Sequence, residues 1–306
     1  MTIIRLRSLF AVVMLFSIYS LLTASLFMVL DAVDVAFTEA AVGAGISTML
    51  MLGTLMITGY REKRPAHSPI LPLIVVVLTG AVLVWGTLDM PHFGSPDQPV
   101  HQHVAPRYID DSPKEVGIPN MVTSVLASYR GYDTMGETIV VFAALIGVLS
   151  LIGIKKYTNK EPGRTEKPPE SILQVAAKLL IPFILLFALY VQFHGDFGPG
   201  GGFQAGVIFA AGIILYALTF SLKDAMHLAP PKVVKVIAAF GVLLYGGTGI
   251  VSMLKGGTFL NYSVLAHDPI HGQHYGILLV ELGVGLTVAS VMMLIFYAFV
   301  SRGEAD

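Results

Sequence analysis

The sequence predicts an all-α integral membrane protein of about eight transmembrane helices, with both termini on the cytoplasmic side and two four-helix halves. Three observations carry that prediction. First, 55% of the 306 residues are hydrophobic and 13% are charged, with a mean hydropathy of +0.74. A water-soluble domain carries roughly 25% charged residues, so much of the polar covering is missing and lipid is the solvent that fits. Second, the apolar residues form runs of bilayer-crossing length. Third, Lys and Arg alternate between successive loops.

The runs are 8–30, 35–59, 69–89, 133–154, 171–193, 202–222, 232–254 and 276–300. A helix needs about 20 apolar residues to cross ~30 Å of hydrocarbon. Unpaired backbone amides in lipid cost several kcal/mol each, which leaves helices and closed barrels as the spanning structures. These runs are too long and too continuous for barrel strands. The first follows Arg5 and Arg7, exceeds the apolar core of a signal peptide and lacks a small-residue cleavage site, so it is read as a retained helix.

With the N-terminus inside, the cytoplasmic set is Arg5, Arg7, Arg61, Lys63, Arg64, Lys155, Lys156, Lys160, Arg164, Lys167, Lys223, Lys232, Lys235 and Arg302. The outer set is Arg107, Lys114, Arg130 and Lys255, and Lys178 lies within a span. Fourteen against four supports both the count and the orientation, because one missed helix would scramble the alternation.

Two linkers organise the chain. Residues 90–132 form a long outer segment rich in His, Pro and Asp, in which 121–130 reads as a short interfacial helix. Residues 155–170 (KKYTNKEPGRTEKPPE) form a cytoplasmic linker and divide a membrane module at 1–154 from a second at 171–306. The halves show no repeat, so an inverted-repeat carrier has no support. The net charge of −1 carries no polybasic signal, and nucleic acid is excluded as a partner. The absence of Cys excludes disulfides, thiolate zinc, iron–sulfur clusters and thiol catalysis. No cofactor is expected.

Charged groups inside spans cost about 2.5–3.5 kcal/mol on insertion scales and mark candidate sites. Asp31 and Asp34 read as caps at the start of the second helix. Glu39 sits deeper, among Ala40, Ala41, Gly43 and Gly45, whose small size favours a helix partner over lipid. Glu137 follows Asp133 by one turn on the same face, and neighbouring carboxylates suit a proton relay, although a structural role accounts for them equally.

Lys178 lies about ten ångströms into the fifth helix, where it either snorkels or belongs to a polar seam with Gln174. Glu281, in the eighth helix, has Gly285 and Ala289 along its face, and a pairing with Lys178 is conceivable. His194 and Asp196 open a Gly-rich segment, 194–204, that is either a tight turn or a set of amides presented to an ion or a partner. His267, Asp268, His271 and His274 have metal-compatible spacing, but solvated loop histidines are the commoner case and no metal is assigned. Gly246-Gly247-Thr248-Gly249 either interrupts the seventh helix or packs closely.

Several segments together resemble a known family. PFILLFALYVQFHGDFGPGGGFQAG at 182–206 resembles the B-type component of Mrp-type multisubunit sodium/proton antiporters and its equivalent in membrane-bound hydrogenases. HYGILLVELGVGLTV at 274–288 matches the last helix of that component. DAVDVAFTEAAVGAG at 31–45 resembles the D-type module of those hydrogenases, and VTSVLASYRGYDTMGETIVVFAA at 122–144 resembles the E-type module. Both modules are similar to the C-terminal extension of the A-type antiporter component, and this chain departs from the common pattern in joining them to a B-type module.

The resemblance implies a subunit of a multisubunit cation/proton antiporter in a prokaryotic cell membrane, with other subunits as partners and Na+ and H+ as the ions moved. It implies that Glu39 and Glu137 occupy positions of cation-passage carboxylates, with His194, Asp196 and Glu281 inside the B-type motif. A purely structural subunit and a membrane piece of a redox-driven, hydrogenase-like complex are the alternatives. In none of these readings is the chain itself an enzyme.

Overall fold

The computed structural model describes residues 6–63, 68, 70–92, 94–154 and 172–303. The linker 155–170, with Lys155, Lys156, Lys160, Arg164 and Lys167, lies outside the described residues, as do Arg5 and Arg64. Among the described residues, eight helices are long and apolar enough to cross a membrane. They are α1 (Leu9–Val29), α2 (Val33–Thr58), α3 (Ile70–Thr87), α4 (Gly131–Leu151), α5 (Ile172–His194), α6 (Gly202–Thr219), α7 (Pro231–Leu254) and α8 (Pro269–Arg302). No strand is present among the described residues.

Local sequence explains most boundaries. Ser8 caps α1, its hydroxyl accepting from the Ala11 amide at 3.4 Å. The α1–α2 turn places Asp31 at φ 57°, a left-handed conformation that a short polar side chain tolerates. Pro231 opens α7, where a missing amide costs nothing. α7 runs unbroken through Gly246–Gly249, and of those three glycines Gly249 alone is packed, against Phe259. α8 begins at Pro269, earlier than the apolar run suggests, because its polar opening turns carry His271 and His274.

α2 changes character along its length. It is α-helical over Val33–Glu39, π-helical over Ala40–Ile46 and α-helical again over Ser47–Thr58. The wide turn falls on Ala40, Ala41, Gly43 and Gly45, the small residues beside Glu39.

α8 is the central post: it packs against α6, α7 and α4, and against the last part of α2. Lipid tails are as apolar as leucine, so this association depends on close backbone approach and fit. A side chain at Gly206 of α6 would begin 2.8 Å from the Gly285 carbonyl oxygen of α8, and one at Gly241 of α7 would begin 2.5 Å from the Gly283 carbonyl oxygen. Ile277, Val280, Val288 and Leu294 are buried in those seams. These seams hold the second four-helix half together, and it meets the first where α8 packs against α4 and the last part of α2. α3 contrasts with this, since none of its residues is buried.

Alternate loops fall on the same face, the parity that the Lys and Arg count predicts. On one face, the Leu9 amide donates to the Tyr60 carbonyl at 2.9 Å, and Arg302 Nη2 donates to the Ile152 carbonyl at 2.7 Å. On the opposite face, called outer below for its few basic residues, the Asn120 amide donates to the Asp196 carbonyl at 3.0 Å. The predicted interfacial helix at 121–130 is helical over Met121–Tyr129.

Candidate functional site

The outer half of the bundle holds a half-open cavity of about 490 Å³, at whose edge Glu137 is exposed. α2 contributes Asp34 and Thr38, α4 contributes Glu137 and Thr138, the turn before α6 contributes Gly200 and Gly201, and α8 contributes Glu281. Three carboxylates from three different spans thus face one space.

The Gly-rich turn that closes the cavity is held from outside. Asn120 Nδ2 donates to the carbonyls of Gly195 at 3.1 Å and Gly198 at 2.9 Å, while Thr123 Oγ1 donates to Gly195 O at 2.6 Å. Its inner side faces the carboxylates. Asp34 Oδ1 accepts from the Gly200 amide at 3.3 Å. Gly201 adopts φ 124°, and a side chain there would begin 3.1 Å from Glu281 Oε1. Only glycine combines that backbone conformation with so close an approach. Both carboxylates sit at the positive end of the α6 dipole, which offsets part of the cost of holding them in the membrane. Gln204, in the first turn of α6, donates to Thr38 Oγ1 at 2.8 Å and ties α6 to α2.

The sequence candidates fall in different places. Glu137 and Glu281 share the cavity. Asp34 joins them, and its side chain bonds across to Gly200 instead of capping α2, whose first turn has no side-chain cap. Glu39 lies outside the cavity lining, in a niche between α1 and α2: a side chain at Gly43 would begin 2.5 Å from Glu39 Oε1 and 2.8 Å from Ser20 Oγ.

Asp133 points to solvent, paired with Arg130 at 2.6 Å, and does not line the cavity with Glu137. Lys178 stands with its ammonium 5.9 Å from the Phe220 ring centroid, at the end of α5 away from the cavity. Gln174, one turn away, donates to the Thr219 carbonyl at 3.2 Å. Sixteen residues separate Lys178 from His194, about 24 Å along a helix, so Lys178 and Glu281 do not meet.

His194 stacks on Tyr190 with ring centroids 4.8 Å apart. The partner of Asp196 is instead His274, Nδ1 to Oδ2 at 2.9 Å. Sequence reading misses this pair because the residues are 78 positions apart (274 − 196) and His194 is the nearer histidine. Burial raises the Asp196 carboxyl above its usual range, and His274 opposes that shift. His271 pairs with Asp268 at 3.1 Å, with both side chains exposed.

Eight spanning helices around a carboxylate-lined cavity define a multi-pass membrane protein. Residues 172–294 match the family described as a domain related to the MnhB subunit of Na+/H+ antiporter. Residues 1–59 match the MbhD family of MBH subunits, and residues 73–161 match the MbhE family. The B-type subunit of the Na(+)/H(+) antiporter of Bacillus subtilis (strain 168) is 36% identical over 133 residues, 40% of this chain and 92% of that protein. The "Putative antiporter subunit mnhB2" of Staphylococcus haemolyticus (strain JCSC1435) is 33% identical over 135 residues, 43% of this chain and 95% of that protein. The chain belongs to the MnhB family, fused to segments matching MbhD and MbhE.

Among solved structures, a chain of the Mrp complex from Dietzia sp. DQ12-45-1b superposes with a TM-score of 0.72 at 25% identity. The match covers 97% of this chain and 33% of that one, so this chain spans a third of the length of its structural relative. A chain of the membrane-bound sulfane sulfur reductase, an archaeal respiratory membrane complex, superposes with a TM-score of 0.56 at 30% identity, covering 75% of this chain and 96% of that one.

Proposed function

We propose that this chain is a non-enzymatic membrane subunit of a multisubunit Na+/H+ antiporter in the prokaryotic cell membrane, and that its outer cavity is part of the ion route. One observation carries the reading: Asp34, Glu137 and Glu281 reach the same cavity from α2, α4 and α8. Carboxylates on three spans, bordered by threonine hydroxyls, supply the oxygen ligands that a hard monovalent cation takes and the acidic groups that a proton takes. Glu39, beside the Ser20 hydroxyl, is a second station between α1 and α2. Asp133 and Lys178 serve the ends of their helices, and His194 braces the Gly-rich turn. We also read 1–154 and 171–306 as two modules joined through a cytoplasmic linker, with other subunits of the complex as partners.

The test replaces Glu137 and Glu281 with Gln, which keeps the hydrogen-bonding capacity of the side chain and removes its charge. Copies of intact complex and sodium-dependent proton flux per copy are measured together. Lower flux per copy at normal abundance supports the ion route. Lower abundance with normal flux per copy assigns both residues to structure instead. The sulfane sulfur reductase likeness favours one alternative, a membrane arm of a redox-driven complex. Purification of the complex with iron–sulfur subunits attached would select it.

A further inference from the structure

Asp196 and His274 are unused by the cavity reading, yet they stand between it and the outer face. The His274 side chain is 41% exposed and that of Asp196 is 10% exposed, so accessibility falls from the first to the second. Beyond Asp196 lies Glu281. Its Oε2 rests 3.1 Å from where a side chain at Gly195, the neighbour of Asp196, would begin. His274 and Glu281 are seven residues apart on α8, which places them on one face of the helix, about 10 Å apart along its axis. Asp196 enters from the 195–201 turn on that face. The other titratable groups nearby are Asp34 from α2, Glu137 from α4, His194 from α5, and Asp268 and His271 at the start of α8.

We propose that His274 and Asp196 form a proton relay between the outer face and Glu281, resting on the assignment of the cavity made above. A proton taken up at His274 Nε2 releases the Nδ1 proton to Asp196 Oδ2, and the imidazole remains neutral as its other tautomer. Neutral Asp196 then yields its proton to the Glu281 carboxylate and regains its charge. Exchange with water restores the starting tautomer of His274. One proton enters, one arrives, and the pair ends with the single negative charge that it began with. Imidazole suits the outer station because its two ring nitrogens let it take a proton on one side and release one on the other. Burial of Asp196 acts in the same direction, because it lets this carboxyl hold a proton to a higher pH than an exposed aspartate does. The exposed His271–Asp268 pair on the same face has the same chemistry without the cavity behind it, and provides the control.

The experiment uses the whole complex in membrane vesicles, with proton flux per copy recorded while outer pH is stepped through the imidazole range. Asp196→Asn and His274→Gln are each expected to lower flux per copy about a hundredfold, the lower end of the range for a positioned acid–base group, and to flatten the dependence on outer pH. Asp196→Glu should restore part of the flux, and His271→Gln should change neither quantity. Unchanged flux per copy and an unchanged pH profile in Asp196→Asn would overturn the relay. So would reduced abundance with normal flux per copy, which is the signature of a structural clasp. If Asp196→Asn fails to assemble, His274→Gln at the exposed end decides by the same criteria. Glu281→Gln separates the two readings: impaired Glu281→Gln beside a normal Asp196→Asn overturns the relay alone, whereas a silent Glu281→Gln removes the cavity assignment and the destination of the relay with it.

Discussion

The hydroxyl of Tyr245 donates to the carbonyl of Gly131 at 2.7 Å, tying the buried middle of α7 to the first residue of α4. Tyr245 is fully buried, and Gly131 is buried beside it. The bond therefore joins the two halves of the chain at the wall of the cavity. Tyr245→Phe keeps the ring and leaves the carbonyl without this donor. The expected cost is about 1–3 kcal/mol, read as a lower melting temperature of the detergent-solubilised complex, with flux per surviving copy retained. An unchanged melting temperature would mean that the contact contributes nothing.

The backbone seam between α6 and α8 leaves no room for a side chain at Gly206, where a Cβ would begin 2.8 Å from Gly285 O. Gly206→Val should cost about 1–3 kcal/mol or more in overpacking and sharply reduce assembled complex in the membrane. Gly246→Ala and Gly247→Ala, where nothing lies within 4 Å, should assemble normally. Equal abundance of all three variants would contradict the seam.

Glu39 and Glu137 occupy separate places, the first in the α1–α2 niche and the second in the cavity. Glu39→Gln and Glu137→Gln should each lower flux per copy at normal abundance. In the double variant the logarithms of the two effects should add, as they do for sites without shared partners. A double variant no worse than Glu137→Gln alone would place both groups in one unit.

On the outer segment, Tyr129 donates to Glu115 Oε2 at 2.5 Å, and Arg107 lies 3.3 Å from the same carboxylate. Burial first, and then Glu115, push the Tyr129 hydroxyl up to about 12. A folded value above the unfolded one gives stability that is complete below the unfolded value, about 10 for tyrosine, and lost as pH rises towards the folded one. Tryptic cleavage after Lys114 should therefore increase across that alkaline window. In Tyr129→Phe it should already be raised at neutral pH. The Tyr129 hydroxyl, and then Arg107, hold Glu115 below the usual carboxylate range, so its contribution disappears at the acid end as it is protonated.

Reporter fusions check the sidedness that the Lys and Arg distribution predicts. Fusions after Arg64 and after Lys156 should report cytoplasm, and those within 95–115 should report the outside. A cytoplasmic signal from 95–115 would reverse the assignment of the cavity to the outer half.

Much of the fold is legible because span length and backbone satisfaction in lipid leave few choices: α1 and α7 fall within a residue or two of their apolar runs. The beginning of α8 is not, because His271 and His274 look like loop by polarity although they continue the helix. Glu137 and Glu281 stand out as costly residues in a membrane, and the structure brings them together. Asp34 reads as a cap from its local neighbours, because nothing near it in sequence reveals Gly200 as its partner. Asp196 reads with His194 for the same reason. Spacing along the chain reports partners within a turn or two, whereas His274 reaches Asp196 through the packing of α8.

The π-helical stretch Ala40–Ile46 has a genetic consequence. A π turn closes its hydrogen-bonded ring around one more residue than an α turn does. Because that wide turn already absorbs one residue, loss of a single codon in this stretch would let the helix continue as an ordinary α-helix with the segments on either side still in phase. The same loss within Ser47–Thr58 would instead turn the segment carrying Asp34, Thr38 and Glu39 by about 100° relative to the end of the helix, the angle of one residue in an α-helix. Asp34 and Thr38 would then face away from the cavity while the protein still inserted. The one place in this span where a triplet can be lost without turning the polar stations out of line is the place where the helix is already widened.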